Sequence, residues 1–525
     1  MNEVKIVWSD TRIRNIKALA EVLSVCSNDN RQKFEEEIIL AAFKKWGSDF
    51  GNHICGRFSV VIEDTAKKKI YLIRDHFGLA PLYYGVLSGS LYSSPCIRNL
   101  TEQNSFPKDL NEKALVTYFI YGYPLGPETF YKGIKKVVPG HCLVWGIEEK
   151  QFISDIRWFV PDFTTNYSLS ETDWLSALED VFNTIMQEEN ADIKNHSAGC
   201  LLSSGVDSSY LLAASDIRSA FSIGYPDFPF SETEKAGETA AFLNRNFTES
   251  ICSVEEFIEE YKVYVRSVDQ PIVNPTVPVI GSLCSKISKT SELLYSGEGA
   301  DEFFVGYYSS TVAEFLSLTK KPYFGFGKSV SYENVQKLMR TDCSWIKESI
   351  PDEIYRDTEQ SGAFSAAMWT DIHLYYEGDT CAYVSYIMKK FGIDIRLPFA
   401  DPRIFEITSK IPAEYLLHGM DSTNNSPAFG KYIFRKLAAG KLPYEVAFRA
   451  KQAFPAPIRS WIRHPELQKI FNEMIFSKTA DMFFNTDYLK NVWESYLLGD
   501  NSHWRMLYAV CTFLCWYESS VMTHL

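Results

Sequence analysis

Leu201-Leu-Ser-Ser-Gly-Val-Asp-Ser-Ser209 and, some ninety positions later, Ser296-Gly-Glu-Gly-Ala-Asp-Glu302 decide how this chain is read. Each is a turn of small residues closing a short apolar run, residues 200–202 and 293–295, and each carries a carboxylate shortly after its glycine. Turns of this kind let backbone N–H groups and hydroxyls approach phosphate oxygens, while paired carboxylates hold Mg2+. A single Ser-Ser-Gly turn is an ordinary loop signal. Two of them, each ending a strand-like run, point to a nucleoside triphosphate. Asp207 and Asp301 are then the expected Mg2+ ligands, and Ser203, Ser204, Gly205 and Ser208 the phosphate cradle. The plainer reading of either aspartate alone is a solvated carboxylate at a helix start. Convergence of the two on one cation is what outweighs it.

Outward from the turns, the pattern repeats strand, turn and helix. Residues 197–202 form a strand leading to a helix over 208–214, residues 220–224 form another strand, and 234–244 have helical spacing. This alternation predicts an α/β fold with a doubly wound parallel sheet. Ligands of such sheets sit at the carboxyl ends of the strands, where both glycine turns fall. Beyond Tyr307 the chain becomes helical and aromatic-rich. The section before residue 160 is different: 58–62 and 70–73 flank a polar turn as a β-hairpin, and 35–46 space their apolar residues as an amphipathic helix. A polar stretch, 161–172, precedes a long helical pattern and divides the chain into units 1–160 and 161–525.

Composition narrows the classes of function. A chain of 525 residues with 46% hydrophobic and 15% aromatic content supports more than one core. Its 53 basic and 66 acidic residues give a formal net charge of −13, which argues against a nucleic-acid partner. No apolar run reaches the ~20 residues that span a bilayer, so no membrane partner is expected. Met1-Asn-Glu-Val-Lys-Ile-Val-Trp lacks the apolar core of a signal peptide, and a cytoplasmic location follows as the expectation. Eleven scattered cysteines without a C-x-x-C pair read as reduced, mostly buried thiols rather than a zinc site.

Two further segments carry charge in unusual places. In Phe391-Gly-Ile-Asp-Ile-Arg-Leu-Pro-Phe399, Asp394 and Arg396 interrupt an apolar run, a pattern that favours an ion pair between them. Lys431, Arg435, Arg449 and Lys451 gather on and after a helical stretch, 429–439. Charges on one helix face are usually only solvated, but cleavage of ATP needs a phosphate-facing cation, and Lys451 in its irregular Arg-Ala-Lys-Gln-Ala-Phe-Pro context is the one singled out.

Together these segments closely resemble the asparagine synthetase B family, in which a PP-loop ATP-pyrophosphatase domain follows an Ntn-glutaminase-like α+β domain. Residues 203–208 resemble the pyrophosphate loop, with Ser204 where glycine is usual. Asp269-Gln-Pro271 resembles the Asp-Glu-Pro element, and 296–307 resembles SGEGADELFGGY almost letter for letter. Residues 392–401 resemble GLEARVPFLD with Asp394 in place of Glu, and Lys431-Tyr-Ile-Phe-Arg435 and Arg449-Ala-Lys451 resemble the two basic motifs. The resemblance implies that ATP and Mg2+ adenylate a substrate carboxylate, releasing pyrophosphate, and that an amine then forms the amide. It implies nucleotide contacts from Leu202, Ser222, Ile223, Gly224, Ser296, Gly297 and Lys431, and catalytic roles for Lys451, Glu298 and Asp394, the last as base or substrate contact.

The first unit departs from the family. Gly56-Arg-Phe-Ser, Arg74-Asp-His-Phe-Gly-Leu-Ala-Pro-Leu-Tyr-Tyr84 and Pro139-Gly-His141 resemble the later part of the glutaminase domain, while its earlier motifs are unrecognisable, which suggests a truncated, degenerate unit. Asn2 stands where the glutaminase has its nucleophilic cysteine, and Cys26 is internal, without a free α-amine as base. Glutamine hydrolysis is therefore expected to be absent. Glu298 also separates this chain from the similar β-lactam and carbapenam synthetases, which carry Tyr at that position. A specialised amide synthetase or lasso-cyclase-like peptide cyclase is the expectation, acting on a small-molecule or peptide carboxylate and an amine, with a partner protein or a second copy covering the shortened unit. Ammonia-dependent asparagine synthesis is the alternative, and a non-catalytic scaffold is the alternative of another class.

Overall fold

The computed structural model describes residues 4–104, 106–226, 232–307, 329–346, 356–357, 363–418, 429–450 and 456–522. The chain begins with strand β1 (Val4–Ile13), followed by helices α1 (Ile16–Leu23) and α2 (Arg31–Trp46). The hairpin expected from the sequence is present as β2 (Gly56–Asp64) and β3 (Lys69–Arg74). After β4 (Tyr83–Leu87), β5 (Ser90–Ser94), helix α3 (Glu112–Tyr121) and β6 (Ile134–Lys136) come β7 (His141–Gly146) and β8 (Gln151–Arg157). These strands make an antiparallel sheet, β1-β2-β3-β7-β8, and a three-stranded sheet, β5-β4-β6. Alternation along β2 sets its two faces: Phe58, Val60 and Ile62 join the core beneath α2, and Val61 joins Leu72, Leu82 and Leu143 on the opposite side.

The second unit opens with α4 (Glu171–Ile193), whose start is fixed by a capping box between Ser170 and Asp173. Then β9 (Ala198–Leu201), α5 (Val206–Ala214), β10 (Ser219–Gly224), α6 (Thr233–Phe242), β11 (Asn246–Ile251), α7 (Val254–Ser267), α8 (Thr276–Ile287) and β12 (Leu293–Tyr295) alternate as expected. A short helix, α9 (Ala300–Phe303), closes the second glycine turn. Later come a π-helical stretch (Asp371–Thr380), α10 (Cys381–Phe391), β13 (Asp394–Arg396), α11 (Tyr432–Ala438) and a buried carboxy-terminal helix, α12 (Trp504–Ser520). The fold is mixed α/β, and the sheet order is β11-β10-β9-β12-β13 with every neighbour parallel. In chain order that is third, second, first, fourth, fifth. The order reverses between β9 and β12, the point in such sheets where ligands sit at the strand ends. Both glycine turns leave the sheet there.

The two units are joined by buried charge. Arg14 on the loop after β1 pairs with Glu189 at 2.7 Å and Asp401 at 3.3 Å, and Glu377 receives Arg74 at 2.9 Å and Lys136 at 2.6 Å. Asp269 accepts the N–H groups of Ile97 and Arg98 and the Cys96 thiol. The Asp-Gln-Pro element is thus a clasp between the units.

Candidate functional site

Residues 203–205 link β9 to α5, and Leu202 extends the sheet by donating its N–H to Phe221 O at 2.8 Å. Gly205 is the residue at the helix start, which brings Asp207 into the first turn. The loop is internally held. Ser208 Oγ accepts from Ser203 N–H at 3.0 Å, Ser203 Oγ accepts from Gly205 N–H at 3.1 Å, and Arg449 donates to Ser204 O at 2.9 Å. Ser204 N–H is taken by the buried carboxylate of Glu232 at 3.3 Å. Burial raises the Glu232 pKa, so a carboxyl rests against a loop N–H of the kind that binds phosphate. Its position just before α6 gave no motif from which the sequence could have identified it.

The second turn packs directly on the first. A Cβ at Gly297 would come 2.9 Å from Ser208 N and 3.0 Å from Asp207 Cβ, so only glycine permits this approach. Gly299 adopts a left-handed φ of +94° at the start of α9, and Asp301 and Glu302 follow on that helix. The two turns thereby bring Asp207 and Asp301 to one cation. Lys431 Nζ lies 2.6 Å from Asp207 Oδ2 and 2.9 Å from Asp301 Oδ1, and its side chain is only 3% exposed. Burial alone would lower the ammonium pKa, but the two aspartates raise it. Gly306 makes room for the pair: a Cβ there would sit 2.1 Å from both Asp301 Oδ1 and Lys431 Cε.

Glu298 lies in the second turn and accepts the Tyr383 hydroxyl at 2.8 Å. Glu302 is buried and accepts from Tyr307 at 3.0 Å, and burial followed by the charges of Asp301 and Glu298 pushes its pKa well up. Asp379 on the π-helical stretch is buried beside them, receives Asn274 Nδ2 at 2.6 Å, and is pushed by burial to about 7. Ser222, Ile223 and Gly224 end β10 beside the first turn.

These residues suit Mg2+ and a nucleotide. Asp207 Oδ1 is buried without a hydrogen-bond partner among the described residues, an orphaned acceptor beside a second carboxylate. No group of three metal-ligating side chains occurs among the described residues. Two carboxylates completed by substrate phosphates are the usual provision for Mg2+. Lys451, singled out from the sequence as the catalytic cation, lies outside the described residues. Arg435 donates to the carbonyls of Gly430, Ala447 and Arg449 and braces the segment that carries Arg449.

Asp394 departs from the role implied by resemblance. It begins β13 in register with Leu293, at the amino-terminal end of the strand pair, whereas the glycine turn leaves the other end. Its carboxylate pairs with Arg396 at 2.8 Å, as the local pattern indicated, and with Arg57 of the first unit at 3.1 Å. These partners hold it as a structural ion, not as a base at the turns. Burial would raise its pKa, but Arg57 and Arg396 hold it below the usual carboxylate value. A depressed folded pKa contributes stability above the unfolded value of ~4 and loses it as pH falls through the folded value. Asp394→Ala is therefore expected to cost about 1–3 kcal/mol at neutral pH, less below pH 4, with nucleotide turnover of the folded protein within about twofold. Melting curves from pH 3 to 7 and turnover at pH 7 check this; a turnover loss above tenfold would restore a catalytic role.

Sequence comparison accords with this geometry. The asparagine synthase family model matches residues 193–518, and the glutamine amidotransferase domain model matches residues 2–158. The second match begins ahead of the motifs that carried the resemblance in the first unit. Asparagine synthetase [glutamine-hydrolyzing] 1 of Bacillus subtilis (strain 168) is 26% identical over 93% of this chain and 81% of its own length. Asparagine synthetase B [glutamine-hydrolyzing] of Escherichia coli (strain K12) is 23% identical over 88% of this chain and 72% of its own. No helix among the described residues is long and apolar enough to cross a membrane.

Proposed function

This chain belongs to the asparagine synthase family, and from that premise we propose that it is an ATP-dependent amide synthetase that adenylates a substrate carboxylate and draws its amine from a source other than glutamine hydrolysed in its own first unit. The observation that carries the first half is the seat of Lys431 between Asp207 and Asp301, at the carboxyl ends of the strands flanking the sheet reversal. Asp207 and Asp301 would hold Mg2+, which when bound neutralises phosphate charge. Lys431 holds the two aspartates together. The N–H groups at the start of α5 and the loop hydroxyls would orient the phosphates, and Arg449 holds that loop in place through Ser204. Glu298, which accepts the Tyr383 hydroxyl, would take a proton from an incoming amine.

The second half rests on the cysteines. A glutaminase of this type needs a thiolate. Burial pushes the thiols of Cys55, Cys96 and Cys142 up, away from that state, and Cys26 is an exposed residue of the loop after α1. Asn2 lies outside the described residues. ATP–pyrophosphate exchange, screened over amino acids, diacids and peptides, is expected to find an activated carboxylate. Ammonium or a free amine then completes the amide, and glutamine does not. Amide formation supported by glutamine in the purified protein would refute the second half; absence of both exchange and ATP binding would refute the first.

A further inference from the structure

A cleft of about 590 Å3 opens beside the start of α12, with Ser329, Asn334, Arg459, His503, Trp504 and Arg505 among its walls. Among the described residues no aspartate or glutamate lines it, although acidic residues outnumber basic ones, 66 to 53, in the whole chain. Arg459 and Arg505 both lie over the Trp504 ring, 5.5 and 5.2 Å from its centroid. Desolvation and then the charge of Arg459 lower the Arg505 pKa, which marks two guanidiniums close enough to repel. The adjacent acid, Asp500, is turned to the Ser502 N–H and the Ser495 hydroxyl instead. Stacking on one indole holds the pair in place, but neither guanidinium has an ion-pair partner among the described residues.

A chain of contacts leads from the cleft towards the second glycine turn. Arg505 acts electrostatically on Tyr375, whose ring packs edge-on against Tyr307 at 5.9 Å. Tyr307 in turn donates to Glu302 beside the second glycine turn. Planar guanidinium forks without an internal counter-ion match carboxylate or phosphate oxygens. We propose that this cleft binds an anionic group, carboxylate or phosphate, carried by the acyl substrate at a distance from the carboxylate that is activated. Two tyrosine rings intervene, so the substrate extends beyond a single amino acid: an acidic peptide or a phosphorylated acid. The assignment of the anion to the acyl substrate rests on the adenylation reading above.

Calorimetric titration of the full chain with the dipeptide Glu-Glu, with phosphoserine and with Gln-Gln capped by acetylation and amidation, which carries no anion, tests the site and separates the two anion sources. At least one of the anions is expected to bind, Gln-Gln is not, and the double variant R459A/R505A weakens the binding at least tenfold. R459K/R505K, which keeps the charge, retains more of it. Unchanged ATP affinity and melting temperature show that the variants are folded, since both arginines are exposed. Failure of both anions to bind, or equal binding by the double alanine variant, overturns the site. Exchange assays on the same preparations separate the two readings. Exchange with no carboxylate, alongside arginine-dependent anion binding, removes the adenylation reading and leaves the anion cleft. Exchange with acidic peptides that is indifferent to R459A/R505A removes the substrate role of the cleft.

Discussion

Lys431→Met is expected to lower the unfolding free energy by about 3–5 kcal/mol, the cost of removing one member of a buried ion pair, and to reduce ATP–pyrophosphate exchange to background. The ammonium is 3% exposed and is the cation shared by two aspartates held side by side by the glycine turns. Methionine fills the volume without the charge. Asp207 and Asp301 then face each other uncompensated, and like charges at that separation favour protonation of one of them. The loss of stability should therefore shrink as pH falls, and should shrink in millimolar Mg2+ at neutral pH. Chemical denaturation across pH with and without Mg2+ measures both effects. A melting profile indistinguishable from wild type would show that the Lys431 pairings contribute nothing.

That triad shows what the sequence makes visible and where it stops. Asp207, Asp301 and Lys431 were each legible, because the glycine turns need small residues at fixed offsets and the basic motif is compact. The parallel sheet was legible for the same local reason: β9, β10 and β12 are short apolar runs, and Leu293–Tyr295 forms the expected strand. That Lys431 bridges the two aspartates was not legible, since 224 residues separate it from Asp207 and only the strand order brings them together. Asp394 illustrates the converse. Its pairing with Arg396 two positions away could be read from the sequence, but Arg57, 337 residues distant, could not. Register with Leu293 then places Asp394 at the strand end away from the turns. Glu232 and the Arg459–Trp504–Arg505 group carry no local pattern at all; they become visible only when a loop N–H and an indole are found between them and the rest of the chain.

The aspartate partner of Lys431 gives the opposite combination of effects. Asp301→Ala is expected to leave stability within about 1 kcal/mol of wild type, as for an ion pair with one accessible member, while exchange falls by about 10^2–10^3-fold. The charge count explains the contrast. Losing Lys431 leaves two anions and no cation, whereas losing Asp301 leaves Lys431 paired one to one with Asp207 at 2.6 Å. Asp301 is also 19% exposed and ends on a short helix whose core contacts come from Ala300 and Phe303, so its truncation opens no cavity in the packed interior. On the proposed reading, what disappears is one of the two carboxylates that would hold Mg2+, and with it the saturable dependence of exchange on Mg2+ concentration. Matched melting curves for the two proteins, together with exchange rates across a Mg2+ titration, separate these contributions. Retention of wild-type exchange with an unchanged Mg2+ dependence would remove Asp301 from the metal site and leave its pairing with Lys431 as a purely structural contact.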